Sequence, residues 1–206
     1  MATLDRTKYM DEREVETLRT VTEAHAVLDT RAGRMQGVVS CAVVDVAMQT
    51  GQRVIEMTRH VVGDFDPRRQ ALKVWRHKRR KQQQETLAIS KALAVHLKAF
   101  ITLKRSVGQG TDRKDPLFVG KRGPLSARGL QQIFKAALRR AGLPEELSIH
   151  CCRHTMAVHL LRKTGNLRMV QKQLGHCNPT TTANMYADVT FEDMRKGVDG
   201  LYNSMP

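Results

Sequence analysis

The chain has 206 residues, 41% of them apolar, enough for one core of domain size and too much for a disordered chain. Thirty-five Lys and Arg oppose 20 Asp and Glu, a formal charge of +15 that favours a polyanion, nucleic acid foremost, over a neutral metabolite. No apolar run approaches the ~18 residues that cross a bilayer, and the acidic start with Asp5, Asp11, Glu12 and Glu14 lacks a signal-peptide pattern; a cytoplasmic protein with no membrane partner is expected.

In chain order, Asp11 and Glu14 form a capping box for a first helix to about Leu28, with Val15, Leu18, Val21 and Leu28 at helical spacing. Gly33 and Gly37 break the pattern, and the Val- and Ala-rich run Val38 to Met48 predicts a buried helix stopped by Gly51. Arg53 therefore lies beside a buried element. After Gly63 to Pro67, short strands are expected at Ala71 to Trp75 and Glu85 to Ser90, flanking the basic turn Arg76-His77-Lys78-Arg79-Arg80-Lys81. The ordinary reading of such a run is a solvated loop; the functional one is a hairpin tip laid on a phosphate backbone.

Lys91 to Leu103 repeats Leu93, Leu97, Phe100 and Ile101 as an amphipathic helix, and a polar loop follows from Val107 to Pro116. Ser126 caps a helix through Arg140 with Leu130, Ile133, Phe134, Ala137 and Leu138 inward and Arg128, Lys135, Arg139 and Arg140 outward. A helix from about Arg153 to Lys163 stops at Gly165, and one capped by Asn166 ends at Gly175. Asn178-Pro179 starts another, with Tyr186 near its end. Thr190 and Asp193 open a last helix with a stripe of Phe191, Met194, Val198 and Leu201. The fold class is mainly α with a small antiparallel sheet.

Chemistry concentrates in the last third, at His150-Cys151-Cys152-Arg153, Leu174-Gly175-His176 and Tyr186. Arginine presents a planar charged fork to phosphate oxygens, histidines share protons near neutral pH, and a phenol can be a covalent nucleophile. The ordinary alternatives are a surface ion pair between Arg53 and Glu56, a packed aromatic for Tyr186, and capping or structural imidazoles. Cys41, Cys151, Cys152 and Cys177 read as free thiols, because neither secretion nor a paired zinc-ligand spacing marks them.

These boxes, together with Thr50-Gly51-Gln52-Arg53-Val54-Ile55-Glu56, Pro116-Leu117-Phe118 and Gly123-Pro124-Leu125-Ser126, resemble the catalytic domain of the tyrosine recombinase (phage integrase) family in order and over most of the chain. The resemblance implies site-specific DNA cleavage and rejoining, in integration, excision or inversion, with no metal and no ATP. Arg53 and Arg153 would hold the non-bridging oxygens, Tyr186 would attack, His150 would serve as base and His176 would donate a hydrogen bond. Lys78, with Lys81 as its rival, would protonate the leaving 5′-oxygen. Arg76, Arg79, Arg80, Lys81 and Arg128 would contact DNA. The implied partners are double-stranded DNA, a tetramer on it and accessory DNA-bending proteins. Gln52 replaces a commoner apolar residue, and Cys151-Cys152 depart from the usual choices between the histidine and the arginine.

On this reading, residues 1–10 are a tail, 11–189 the catalytic domain and 190–206 a C-terminal helix and tail docking in cis or on a neighbour. A counterpart of the separate N-terminal helical domain of many members is not expected in these residues, which leaves a stand-alone catalytic domain, an excised fragment or a small recombinase open. The alternatives are a type IB topoisomerase or telomere-resolving strand transferase, and a catalytically silent DNA-binding regulator. A basic RNA-binding protein would explain the charge but not the boxes, and three Tyr, five Phe and one Trp give few stacking platforms.

Overall fold

The computed structural model describes residues 9–78, 81–175 and 195; His77, Lys78 and Lys81 are described by their backbone alone. The chain begins with an antiparallel pair of helices, α1 (Glu12–Arg31) and α2 (Gln36–Thr50). The capping box forms at the start of α1, where Asp11 Oδ1 accepts from the Glu14 amide at 2.8 Å and Glu14 Oε2 accepts from the Asp11 amide at 2.7 Å. Leu18 packs inward, whereas Leu28, expected on the apolar stripe, is 61% exposed. The turn between the helices is organised by a carboxylate instead. Asp29, 2% exposed, accepts from the Gly37 amide at 2.7 Å and from Arg34 Nε at 2.8 Å. A Cβ on Gly37 would stand 2.6 Å from His25 O, so glycine is required by this close approach.

Helix α2 is buried along nearly its whole length because it packs on α1 and on three helices introduced below, α4, α5 and α6. That placement explains why its sequence is apolar on nearly every side. Its last turn closes at Gly51, φ 59°, whose amide donates to Ala47 O.

A short helix α3 (Val54–Met57) and a single 3-10 turn (Val62–Asp64) lead into a sheet of three antiparallel strands, β1 (Phe65–Asp66), β2 (Ala71–Lys78) and β3 (Lys81–Ala88). The strands run further into the basic segment than expected. Pairing continues through Arg76 with Gln83, His77 with Gln82 and Lys78 with Lys81. Ladder hydrogen bonds are made by the backbone, so charged side chains do not stop them.

Helix α4 (Lys91–Ser106) starts at Ser90, whose hydroxyl accepts from the Leu93 amide at 3.1 Å, and buries Leu93, Leu97 and Phe100. Its buried Lys104 donates to Pro116 O and Leu117 O at 2.6 and 2.9 Å, pinning the segment that leads to the small hairpin of β4 (Val119–Gly120) and β5 (Gly123–Pro124). Helix α5 (Ala127–Arg140), capped by Ser126, lays Leu130, Phe134, Ala137 and Leu138 into the same core. Helix α6 (Cys151–Thr164) begins two residues before the expected start, with Cys151 and Cys152 buried, and α7 (Leu167–Leu174) follows the Asn166 cap. The expected helices after Gly175 lie outside the described residues.

The Asp29 carboxyl is held below its ordinary range, first by the Gly37 amide and then, against the cost of burial, by Arg34. Its contribution is therefore present above the unfolded pKa and lost on acidification. Asp29→Asn is expected to lower the melting temperature at neutral pH, and the gap to wild type should begin closing below about pH 4. Paired thermal melts across pH check this; a gap that stays constant into strong acid contradicts the assignment.

Candidate active site

Arg53 is placed by the end of α2. Gly51 has no room for a side chain, since a Cβ would lie 2.8 Å from Leu174 Cδ2 and 2.8 Å from Met156 Cε. Gln52 is 2% exposed and its Oε1 lies 2.7 Å from His60 Nε2, while His60 Nδ1 lies 3.4 Å from Asp64 Oδ2. A polar residue at this apolar position is thus met by a buried imidazole and carboxylate. Arg53 then caps α3: its amide donates to Glu56 Oε2 at 3.0 Å and its Nη1 donates to Glu56 Oε1 at 3.0 Å. The ion pair considered as the ordinary reading exists. It joins a buried carboxylate to a guanidinium whose side chain is 47% exposed, and it uses one of five N–H donors.

Arg153, on the first turn of α6, is the opposite case. It is 9% exposed, with Nη1 donating to Gly51 O and Nη2 to Leu174 O, each at 2.8 Å. One fork therefore joins the end of α2 to the end of α7. Burial pushes its pKa down to about 10, the Arg53 charge adds to that, Glu56 opposes it, and Arg76 lowers it further. The group stays protonated at neutral pH. Its charge is under-compensated, so an anion at this place would relieve the repulsion.

His150 is the exposed residue at the N-cap of α6, and its carbonyl accepts from the Arg153 amide at 3.1 Å. The structure thus brings Arg53, His150 and Arg153 around the junction of α2, α6 and α7. Lys78 and Lys81 face each other across the end of the β2–β3 hairpin as backbone positions. Arg79, Arg80, His176 and Tyr186 lie outside the described residues. Arg128 is exposed on α5 and lines a shallow cavity of about 470 Å³ with Gln131, Lys135, Arg139 and Ile149, one residue from His150.

Arg76 departs from expectation. Expected on a basic turn facing DNA, it is 1% exposed and turned into the protein. Its Nη1 donates to Glu85 Oε2 at 2.9 Å, its Nη2 donates to Gln173 O at 2.9 Å, and Nε lies 3.9 Å from Glu56 Oε2. The cause is strand periodicity. Leu72 and Val74 point inward and Lys73 and Trp75 outward, so the next alternate position, Arg76, also points inward. That signal was present in the sequence but obscured by the run of charge. Glu56, expected only as the ion-pair partner of Arg53, and Glu85, given no role from sequence, are the carboxylates on which these arginines converge.

Among the described residues, Glu23, Asp45 and His96 gather metal-ligating atoms within 4.8 Å of one another, away from this site. Asp45 is already bound by Arg19 Nε at 3.1 Å and His96 Nδ1 at 2.5 Å, and Arg19 also pairs with Glu23 at 3.5 Å, so an ion-pair network accounts for the group. No helix among the described residues is long and apolar enough to cross a membrane.

Residues 8–193 match the profile of the phage integrase family. The tyrosine recombinase XerC of Bacillus subtilis (strain 168) is 30% identical over 191 residues, covering 91% of this chain and 59% of the relative. The chain spans well under two thirds of the curated relatives it matches first. In fold it is similar to the crystal structure of XerA recombinase, with a TM-score of 0.72 at 23% identity over 97% of this chain and 64% of the other. It is also similar to a Tn1549 transposon integrase in complex with transposon right end DNA, with a TM-score of 0.71 at 18% identity over 97% and 67% of the two chains. The described architecture, mostly helical with small antiparallel sheets, is that of a tyrosine recombinase catalytic domain, and the chain belongs to the phage integrase family.

Proposed function

We propose that this chain is the catalytic domain of a site-specific DNA recombinase that cuts and rejoins strands through a 3′-phosphotyrosyl intermediate, without metal or ATP. The observation that carries the reading is that Arg153, a hundred positions from Arg53 in sequence, donates to the carbonyl of Gly51, two residues before Arg53, with His150 at the same helix start. A phosphodiester entering there finds charge-assisted donors for both non-bridging oxygens, and those oxygens gain negative charge as a fifth ligand approaches phosphorus.

In this reading the Tyr186 oxygen attacks phosphorus after yielding its proton to His150. The bond from phosphorus to the 5′-oxygen breaks, and that oxygen leaves as a hydroxyl with a proton from Lys78. His176 donates a hydrogen bond to a non-bridging oxygen. One phosphodiester replaces another, so a second 5′-hydroxyl can reverse the step without an energy source. Arginines supply the charge stabilisation that a metal supplies elsewhere. Double-stranded DNA at specific sites is the partner, as the charge of +15 and the DNA-bound fold neighbour support, with a tetramer on DNA as the working assembly and accessory DNA-bending proteins assisting. Arg128 and its neighbours on α5 offer the backbone contacts, together with Arg79, Arg80 and Lys81 at the hairpin.

A nicked duplex carrying a site that the protein selects from a randomised library is expected to trap a covalent protein–DNA adduct in buffer containing EDTA. Tyr186→Phe is expected to form none while binding the same duplex. An adduct in that variant moves the nucleophile elsewhere, and a strict need for a divalent ion contradicts the metal-free step.

Arg153→Lys keeps the charge but loses the fork, and is expected to slow single-turnover cleavage by a factor on the order of 10²–10³. Affinity for DNA, read by titration, should change far less. A loss of only a few-fold in rate at unchanged melting temperature removes Arg153 from the phosphate clamp.

A further inference from the structure

The last two carbonyls of α7 are taken by guanidinium groups from different elements. Gln173 O accepts from Arg76 of β2, and Leu174 O accepts from Arg153 of α6, at 2.9 and 2.8 Å. Both cations sit at the negative end of the helix dipole, where charge is most favourable. The chain then turns at Gly175, φ 65°, and a Cβ at that position would overlap the Arg76 guanidinium. The glycine of the Leu174-Gly175-His176 box is therefore required twice, by its backbone angle and by the side chain of Arg76.

The same guanidinium reaches two other segments. Glu85 ties it to β3, and Glu56, at ion-pair distance from Arg76 Nε, is the carboxylate that also holds Arg53. Among the described residues Arg76 Nε is buried without a hydrogen-bond partner, so its charge is balanced by proximity to Glu56. Burying a guanidinium at 1% exposure is costly, and replacing a buried ion pair with apolar groups is often neutral or stabilising. Stability alone is a weak reason for this arrangement.

We propose that Arg76 is a positioning residue for strand cleavage, fixing the β2–β3 hairpin that carries Lys78, and the chain entering His176, against the pair Arg53 and Arg153. The proposal rests on the strand-transfer reading above. Arg76 touches no substrate in this account; it acts through Gln173 O, Glu85 and Glu56. Small errors in the placement of reacting groups lower a rate far more than they lower affinity.

The test is the double variant Arg76→Met with Glu85→Gln, which removes both charges together and keeps side-chain volume. On the nicked, library-selected duplex, its melting temperature is expected within about 3 °C of wild type. Its DNA affinity should hold within a factor of about three. Its single-turnover cleavage rate is expected to fall on the order of a hundredfold. Cleavage at the wild-type rate by a variant of unchanged stability overturns the proposal and makes Arg76 merely structural. If the double variant does not fold, Arg76→Lys is read the same way, because one ammonium keeps the charge but cannot span Glu85 and Gln173 O together. Failure of the wild type to form any adduct overturns the strand-transfer reading itself, so the two failures are distinguishable.

Discussion

A buried guanidinium with two helix ends as its ligands is the constraint on which the site depends. Arg153 spans Gly51 O at the close of α2 and Leu174 O at the close of α7, contacts 102 and 21 positions away in sequence. Each helix terminus carries roughly half a negative charge on its unpaired carbonyls, which repays part of the desolvation of the cation. The fork is rigid, so it fixes the distance between the two helix ends as well as attracting them. Because Arg53 follows Gly51 by two residues and His176 follows Leu174 by two, the position of each box in the chain is referred to the same side chain.

The electrostatic balance follows from this geometry. Burial first, and then the charges of Arg53 and Arg76, hold the Arg153 guanidinium below its ordinary range, with Glu56 opposing; burial also lowers Arg76, against Glu56 and Glu85. Three guanidinium groups gathered around two carboxylates make a place that favours an anion. Rigidity comes from beneath: α2, mostly apolar and buried along nearly its whole length, is clasped by α1, α4, α5 and α6, and its end cannot drift without opening the core.

Much of this was legible in the sequence because it was encoded locally. Asp11 with Glu14, Ser126 and Asn166 start helices where their side chains cap amides, and Gly51, Gly165 and Gly175 stop them at left-handed residues. The length of the hairpin was not legible by charge, since the basic run reads as loop while Arg76, His77, Lys78 and Lys81 pair as strand. The alternation from Leu72 through Val74 held the answer for Arg76. Leu28 failed for a different reason: the buried face of α1 runs through Leu18, Thr22 and Asp29, and Leu28 stands beside that face. The partners of Arg153 carry no signature at all, because they are backbone carbonyls brought near by tertiary packing, and any residue type would present the same atoms.

The most direct test of the central claim is the structure of the protein bound to a nicked duplex, read at one phosphate. The account requires the guanidinium groups of Arg53 and Arg153 to donate to non-bridging oxygens of the same phosphorus, with Arg153 still joined to Gly51 O and Leu174 O. A scissile phosphate held by other residues, with Arg153 serving the two carbonyls alone, would show that this fork braces the fold and does not act on DNA.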